Sequence, residues 1–120
     1  NISPSAISGG SVVSGSGYTT YKGVKVSKTS GLMGMGFYAN YTFVQGGSDI
    51  IESVYDRWVK VVGGSYSVDT FQITRKTEVS GNPATAKLIA DISWVGGVTG
   101  SGTEWLYLNV GNDRAWSTQN

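Results

Sequence analysis

Apolar and polar residues alternate with a period of two through GLMGMGFYANYTF, residues 31–43. Successive side chains of a β-strand point to opposite faces, so this pattern predicts a long strand, continuing to Val44, with one buried face. The positions predicted to face the core are Met33, Met35, Phe37, Ala39, Tyr41 and Phe43. The opposite face carries two glycines, Gly34 and Gly36, beside Tyr38, Asn40 and Thr42.

The two glycines have two interpretations. A glycine inside a strand most often marks a bend, a bulge or a crowded approach, and this favours a structural role for Gly34 and Gly36. The alternative is that they leave a shallow groove on the outer face for a ligand or a partner.

Other segments alternate in the same way between Gly-rich turns. In Ala84–Val95 the residues Ala86, Leu88, Ala90, Ile92 and Trp94 share one face. In residues 65–79 the alternation slips between Val68 and Phe71, which predicts a β-bulge. The remaining extended segments are 11–14, 18–27, 104–110 and 114–118, and the predicted turns are 45–48, 63–64, 80–83 and 111–113.

Residues 49–62, DIIESVYDRWVKVV, fit two periodicities. A helix would be capped by Asp49 and Glu52 and would end at Gly63. It would gather Ile50, Ile51, Val54, Tyr55, Trp58, Val61 and Val62 on one stripe. A strand would place Ile51, Ser53, Tyr55, Val59 and Val61 on one face, interrupted by Arg57. The β-branched and aromatic content favours the strand, and a helix at 49–62 is kept as the alternative.

These elements predict one all-β domain over residues 1–120, with residues 1–10 as a loose lead-in or a short edge strand. Short connections in chain order are typical of an antiparallel meander. Because a single open sheet would leave one apolar face in water, we expect the meander to close as a sandwich or a small barrel.

The composition excludes several classes of function. The 120 residues contain no Cys and no His, so disulfides, thiol nucleophiles and His-ligated metals are absent, and we expect no cofactor and no metal. The net charge of +1 makes nucleic acid a poor partner, and we expect Lys22, Lys25 and Lys28 to lie on a solvated strand. Apolar runs are too short to insert into a membrane. The low charge and the Ser/Gly-rich character favour a secreted or cell-surface protein.

Carboxylates are the remaining acid–base groups. The pairs Glu52 with Asp56 and Glu104 with Asp113 could flank a bond in a small hydrolase. Solubility and turn formation explain them more simply, because a chain this small would also have to build a substrate cleft. We therefore expect a protein that is not an enzyme, with no catalytic residues.

Aromatic residues give the best candidate site. Trp105 and Tyr107 alternate with Leu106 and Leu108, so their rings share one side of a strand, and Trp116 follows the hairpin turn at 111–113. If the leucines face the core, the aromatic side faces outward. The predicted ligand-binding residues are Trp105, Tyr107, Asn109 and Trp116. The alternative is that these rings are ordinary core.

No family resemblance emerges from these motifs. The leading hypothesis is a non-enzymatic, exported binding module that uses exposed aromatics to bind a carbohydrate, a cell-wall polymer or a protein surface. A second hypothesis is a secreted inhibitor or antibacterial factor acting through the Gly/Ser/Thr loop 96–102. A third is the carboxylate-dependent hydrolase. The sequence leaves the oligomeric state open.

Overall fold

The computed structural model describes residues 6–95 and 101–120, which form antiparallel strands joined mostly by tight turns. The strands are β1 (Ala6–Ser8), β2 (Ser11–Gly15), β3 (Tyr18–Ser30), β4 (Met33–Val44), β5 (Ile50–Val61), β6 (Gly64–Arg75), β7 (Ala84–Trp94), β8 (Ser101–Gly111) and β9 (Arg114–Gln119). Residues 1–5 and 96–100 lie outside the described part, and Ala6–Ser8 of the lead-in is a short strand.

The strands form two sheets that pack face to face. The first sheet has the order β1-β3-β4-β5, with β2 also paired to β3, and the second has the order β6-β7-β8-β9. The chain crosses from one sheet to the other between β5 and β6, at Gly63, where φ is +82°. The all-β prediction and the sandwich are confirmed, and the alternative of a closed barrel is wrong, because the two meanders do not join into one continuous ladder.

The core lies between the sheets and follows the predicted alternation. Phe37, Leu88 and Leu106 have no exposed surface. The other buried apolar side chains are Val24, Val26, Met33, Met35, Ala39, Tyr41, Ile51, Ala84, Ala86, Ala90, Ile92, Leu108 and Val110. Because each strand of the core, such as β4, β7 and β8, gives one face to this layer, a shift of one residue in register would expose its apolar set.

Within residues 49–62 the segment Ile50–Val61 forms strand β5, so the helical alternative is wrong. The strand is interrupted twice in its pairing with β4, once opposite Asn40/Tyr41 and once opposite Gly36/Tyr38. At the second interruption Asp56 has a φ of +53°. Each irregularity shifts the alternation, so Tyr55 and Trp58 pair with outward residues of β4, and the resulting spacing resembles that of a helix.

Two local predictions are confirmed. The register of β6 against β7 shifts between Val68 and Thr70, where the bulge was expected. The hairpin between β8 and β9 turns through Asn112 and Asp113, both with positive φ, as in the two-residue turns that suit the twist of a hairpin.

Lys28 corrects the expectation of a solvated basic strand. The residue is only 2% exposed and points into the space between the sheets. Its Nζ donates to Glu104 Oε1 at 2.9 Å and to Asn120 Oδ1 at 2.8 Å. Since Lys28 belongs to β3 and Glu104 to β8, this partly buried ion pair connects the two sheets.

Candidate binding surface on the second sheet

Trp105 and Tyr107 lie side by side on the outer face of β8. Their ring centroids are 4.5 Å apart, and both side chains are half-buried. Leu106 and Leu108, which alternate with them, are fully buried against the first sheet. The structure therefore places the aromatic side of β8 outward and the leucine side in the core. We call the pair Trp105–Tyr107 the aromatic strip.

The neighbouring strand β7 borders the aromatic strip. Lys87 is the register partner of Tyr107, and its Nζ lies 4.8 Å from the Tyr107 ring centroid. Ile89 is the register partner of Trp105. An ammonium group at this distance from an aromatic ring is attracted to the negative face of the ring, so Lys87 contributes a cation to the strip.

Trp116 lies on the edge strand β9, on the same face. Its register partner is Asn109, and it is therefore a diagonal neighbour of Tyr107, within reach of a large side chain. The side chain is 37% exposed, and the Arg114 guanidinium lies 5.9 Å from its ring centroid. The edge thus extends the strip by one aromatic ring and one cation.

Asn109 has a different environment from the three aromatic residues. It is 8% exposed, and its side-chain amide is already hydrogen-bonded within the protein. Its Nδ2 donates to Thr118 Oγ1 at 3.2 Å, and its Oδ1 accepts from Thr85 Oγ1 at 3.3 Å. These bonds connect β7, β8 and β9, so Asn109 holds the edge strand that carries Trp116 in place.

A cluster of carboxylates at one end of the sandwich was not anticipated from the sequence. Asp49 is fully buried, and its two carboxylate oxygens accept from the backbone N–H groups of Val44, at 2.9 Å, and Asp113, at 2.7 Å. Glu78 accepts from the N–H groups of Asp49 and Asn112, each at 3.0 Å. The two side chains tie together the β4–β5 turn, the segment after β6 and the β8–β9 hairpin.

The carboxylates of Asp49 and Glu78 at this end of the sandwich are hydrogen-bonded to backbone N–H groups. Within residues 6–95 and 101–120, no group of three or more acidic residues is arranged to hold a metal ion. The same residues include no helix that could span a membrane. The carboxylate oxygens of Asp49 and Glu78 accept hydrogen bonds from N–H groups that turns leave unpaired, which gives this cluster a structural role.

Burial raises the pKa of the Asp49 carboxyl above its ordinary value of 3.8. The hydrogen bonds from Val44 and Asp113 oppose this shift, and the nearby Asp113 carboxylate adds to it. The native state consequently binds this proton at a higher pH than the unfolded chain does. Acidification through the interval between the raised pKa and 3.8 should therefore increase the contribution of Asp49 to stability.

This leads to a prediction for Asp49→Asn. The free energy of unfolding of the wild type, minus that of the variant, should increase as the pH falls from 7 towards 3.8 and should level off below it. Urea unfolding of both proteins at several pH values measures this difference, in which the titrating groups that do not interact with Asp49 cancel. A difference that shrinks on acidification would show that the hydrogen bonds, and not burial, dominate the pKa of Asp49.

Of the two carboxylate pairs considered for a hydrolase, the structure does not bring Glu104 and Asp113 together. Glu104 is paired with Lys28, and Asp113 lies beyond the far end of β8, more than about 20 Å away along an extended strand. A general acid and its partner need a separation below about 10 Å. Glu52 accepts from Thr42 Oγ1 at 3.1 Å, and Asp56 occupies the β5 bulge.

The loop of the inhibitor hypothesis falls mostly outside the described residues. Only Ser101 and Gly102 belong to the described part of the chain, and both are exposed at the start of β8. The structure thus gives no geometry for residues 96–100.

The outer face of the first sheet carries a second group of aromatics, which sequence reasoning missed. Tyr38 and Tyr55 are cross-strand partners with ring centroids 6.3 Å apart. The Tyr55 hydroxyl donates to Asn40 Oδ1 at 2.9 Å, which fixes its ring. Trp58 lies further along β5 on the same face, paired with Gly36. The signal was present in the sequence, but the register of β5 was needed to interpret it.

Comparison with known proteins supports the fold alone. No known family and no curated protein matches the chain. A crystal structure of a hypothetical protein from Listeria monocytogenes EGD-e is similar, with a TM-score of 0.58 and 18% sequence identity. The similarity covers 96% of this chain and 75% of the Listeria protein. At this identity the likeness shows a shared sandwich architecture and carries no function.

Proposed function

We propose that the protein is a non-enzymatic, exported binding module that binds a carbohydrate through the aromatic strip and Trp116. The observation that carries the proposal is the close pairing of Trp105 and Tyr107 on the outside of a rigid strand. Rings held on a strand by a packed core lose little entropy on binding, so they suit the recognition of a flat apolar surface.

The surroundings of the strip favour a sugar over a protein partner. The outward residues next to it include the hydroxyl groups of Thr103 and Thr118, and both side chains are exposed. A pyranose presents an apolar ring face together with hydroxyl groups at its rim. Aromatic rings can stack on that face, while threonine hydroxyls and the Lys87 ammonium can bond the rim. Export fits a ligand of this class, since glycans are abundant at cell surfaces.

The proposal predicts opposite effects for two neighbouring substitutions. Trp105→Ala should weaken glycan binding by about 30-fold or more, as loss of a hot-spot aromatic does, with little change in stability. Leu106→Ala should reduce the free energy of unfolding by about 2–5 kcal/mol, because it opens a cavity in the core. Its binding per folded molecule should remain that of the wild type.

The measurement is a titration of each protein, followed by tryptophan fluorescence, with cello-, xylo- and chito-oligosaccharides and solubilised peptidoglycan. Urea unfolding of the same samples gives the stability. If Trp105→Ala binds every wild-type ligand with unchanged affinity, the aromatic strip is not the binding surface. If the wild-type protein binds none of these glycans but binds a protein ligand, the protein hypothesis would replace the carbohydrate hypothesis.

A further inference from the structure

Trp58 lies across the two glycines on the outer face of β4. A Cβ atom at Gly36 would come within 2.9 Å of Trp58 Cε2 and Cζ2, and one at Gly34 would come within 3.3 Å of Trp58 Cζ3. The missing side chains therefore allow the indole to lie close to the sheet. Lys25, on the other neighbouring strand, holds its Nζ 5.6 Å from the Trp58 ring centroid.

A groove of about 300 Å³ opens beside this ring, towards the end of the sandwich. Gly34 forms its floor, between Thr29 on β3 and Trp58 on β5. The end of the groove is formed by Leu32 and Val62, which are 61% and 52% exposed although both are apolar. The two are fixed relative to each other, because the Val62 N–H donates to the Leu32 carbonyl at 2.8 Å.

The charge of the groove has one sign. Lys60 follows Trp58 on the same face of β5 and lines the groove, and no acidic residue is among the lining side chains. Lys25 adds a second cation beside the ring. In the part of the chain that the structure describes, one ion pair forms, between Lys28 and Glu104, and it is partly buried. Neither Lys25 nor Lys60 has an ion-pair partner among those residues.

We propose that this groove binds an anionic pyranose, a sugar unit that carries a carboxylate or a phosphate. The apolar ring face packs against Trp58, Leu32 and Val62. The anionic group pairs with Lys60, and the Thr29 methyl group adds an apolar contact at the floor. A volume of about 300 Å³ lies at the lower end of small-molecule sites, which suits one sugar unit rather than a long chain.

This site is separate from the aromatic strip. The groove lies on the outer face of the first sheet, and the strip lies on the outer face of the second, so the core separates them. Each site can therefore be removed without the other, and the proposal for the groove does not depend on the proposed function of the strip.

The test compares tri-galacturonic acid with its methyl ester, which keeps the shape of the sugar and removes the charge. Binding is followed by the indole N–H resonance of Trp58 in proton–nitrogen correlation spectra. We expect the acid to shift this resonance and to bind at least tenfold more tightly than the ester. Separate titrations of the protein with glucose 6-phosphate and with glucose show whether a phosphate can replace the carboxylate.

Two substitutions locate the effect. Lys60→Gln should weaken binding of the acid at least tenfold. The matched control is Lys22→Gln, which removes the same charge from an exposed position of β3 outside the groove and should leave this binding unchanged. Lys87→Gln, made in parallel, reports on the aromatic strip of the other sheet. Gly34→Ala places a methyl group on the floor, 3.3 Å from Trp58 and 3.6 Å from Thr29, and should weaken binding in a folded protein.

Several results would overturn the proposal. Equal affinity for the acid and the ester would remove the role of charge. A loss of binding in Lys87→Gln with none in Lys60→Gln would move the ligand to the aromatic strip. If neither tri-galacturonic acid nor glucose 6-phosphate shifts the Trp58 resonance at 10 mM (roughly the range of a 3 kcal/mol site), the groove does not bind this class of ligand.

Discussion

Phe37→Ala is expected to lower the free energy of unfolding by about 3–5 kcal/mol, as truncation of a buried aromatic does. Phe37 lies near the middle of β4 with no exposed surface, facing the second sheet. Its ring centroid is 5.6 Å from that of Phe71 on β6, with the ring planes at 58°. The substitution would therefore leave a cavity between the sheets and would also remove a tilted ring contact, which adds to the loss of buried area.

The matched control is Tyr38→Ala, one residue further along the same strand. Tyr38 points outward, is half-buried and stacks on Tyr55 at a centroid distance of 6.3 Å. Its truncation leaves no internal cavity, so we expect a loss below about 1.5 kcal/mol. Urea unfolding at constant pH measures both. Comparable losses at the two positions would mean that the inner and outer faces of β4 do not differ in packing as the structure indicates.

The faces of β4, β7 and β8 could be predicted from sequence because each of these strands has one face in the core. A strict period of two then has only one register that buries the apolar set. On this ground alone the sequence favours Leu106 and Leu108 as core and Trp105 and Tyr107 as outward, with the exchanged faces as the alternative. The structure agrees on all four positions.

Strand β5 could not be resolved in this way. Its two irregularities change the parity of the chain, so inward Ile51 and Val54 are three residues apart, as they would be on a helix. A bulge depends on what the partner strand needs opposite it, and this is a tertiary property. The same limit applies to Lys28, whose burial depends on Glu104 from the other sheet.

The candidate surfaces also divide into features that the alternation within one strand predicts and features that depend on neighbouring strands. The aromatic strip follows from the alternation within β8, whereas the environment of Asn109 requires the positions of Thr85 and Thr118 on its neighbours. The Trp58 groove needs both the β5 bulge and the register that sets Trp58 opposite Gly36. The features of the surface that periodicity within a strand does not predict are therefore determined by cross-strand neighbours.

Gly36 connects these observations to the question raised by the glycines of β4. A Cβ atom there would lie 2.6 Å from the Val26 carbonyl oxygen and 2.9 Å from the Trp58 ring. The carbonyl belongs to the paired backbone of β3 and cannot move without disturbing the sheet. Gly36 is thus required by crowding against backbone, while a Cβ atom at Gly34 would make a tight contact of 3.3 Å with the Trp58 side chain alone. The structural interpretation therefore fits Gly36, and Gly34 both accommodates Trp58 and lines the groove.

Gly36→Val is accordingly expected to destabilise the protein severely, by more than about 3 kcal/mol, because a branched side chain would have to displace both Trp58 and the β3 backbone. Gly34→Val is the matched comparison. Its nearest contacts are with side chains that can rotate, so we expect a smaller loss of stability, together with a blocked groove. Urea midpoints of the two variants should differ clearly, with Gly36→Val the lower. If Gly36→Val unfolds at the wild-type midpoint, Trp58 does not lie against the sheet in solution, and both the crowding at Gly36 and the wall of the groove are refuted together.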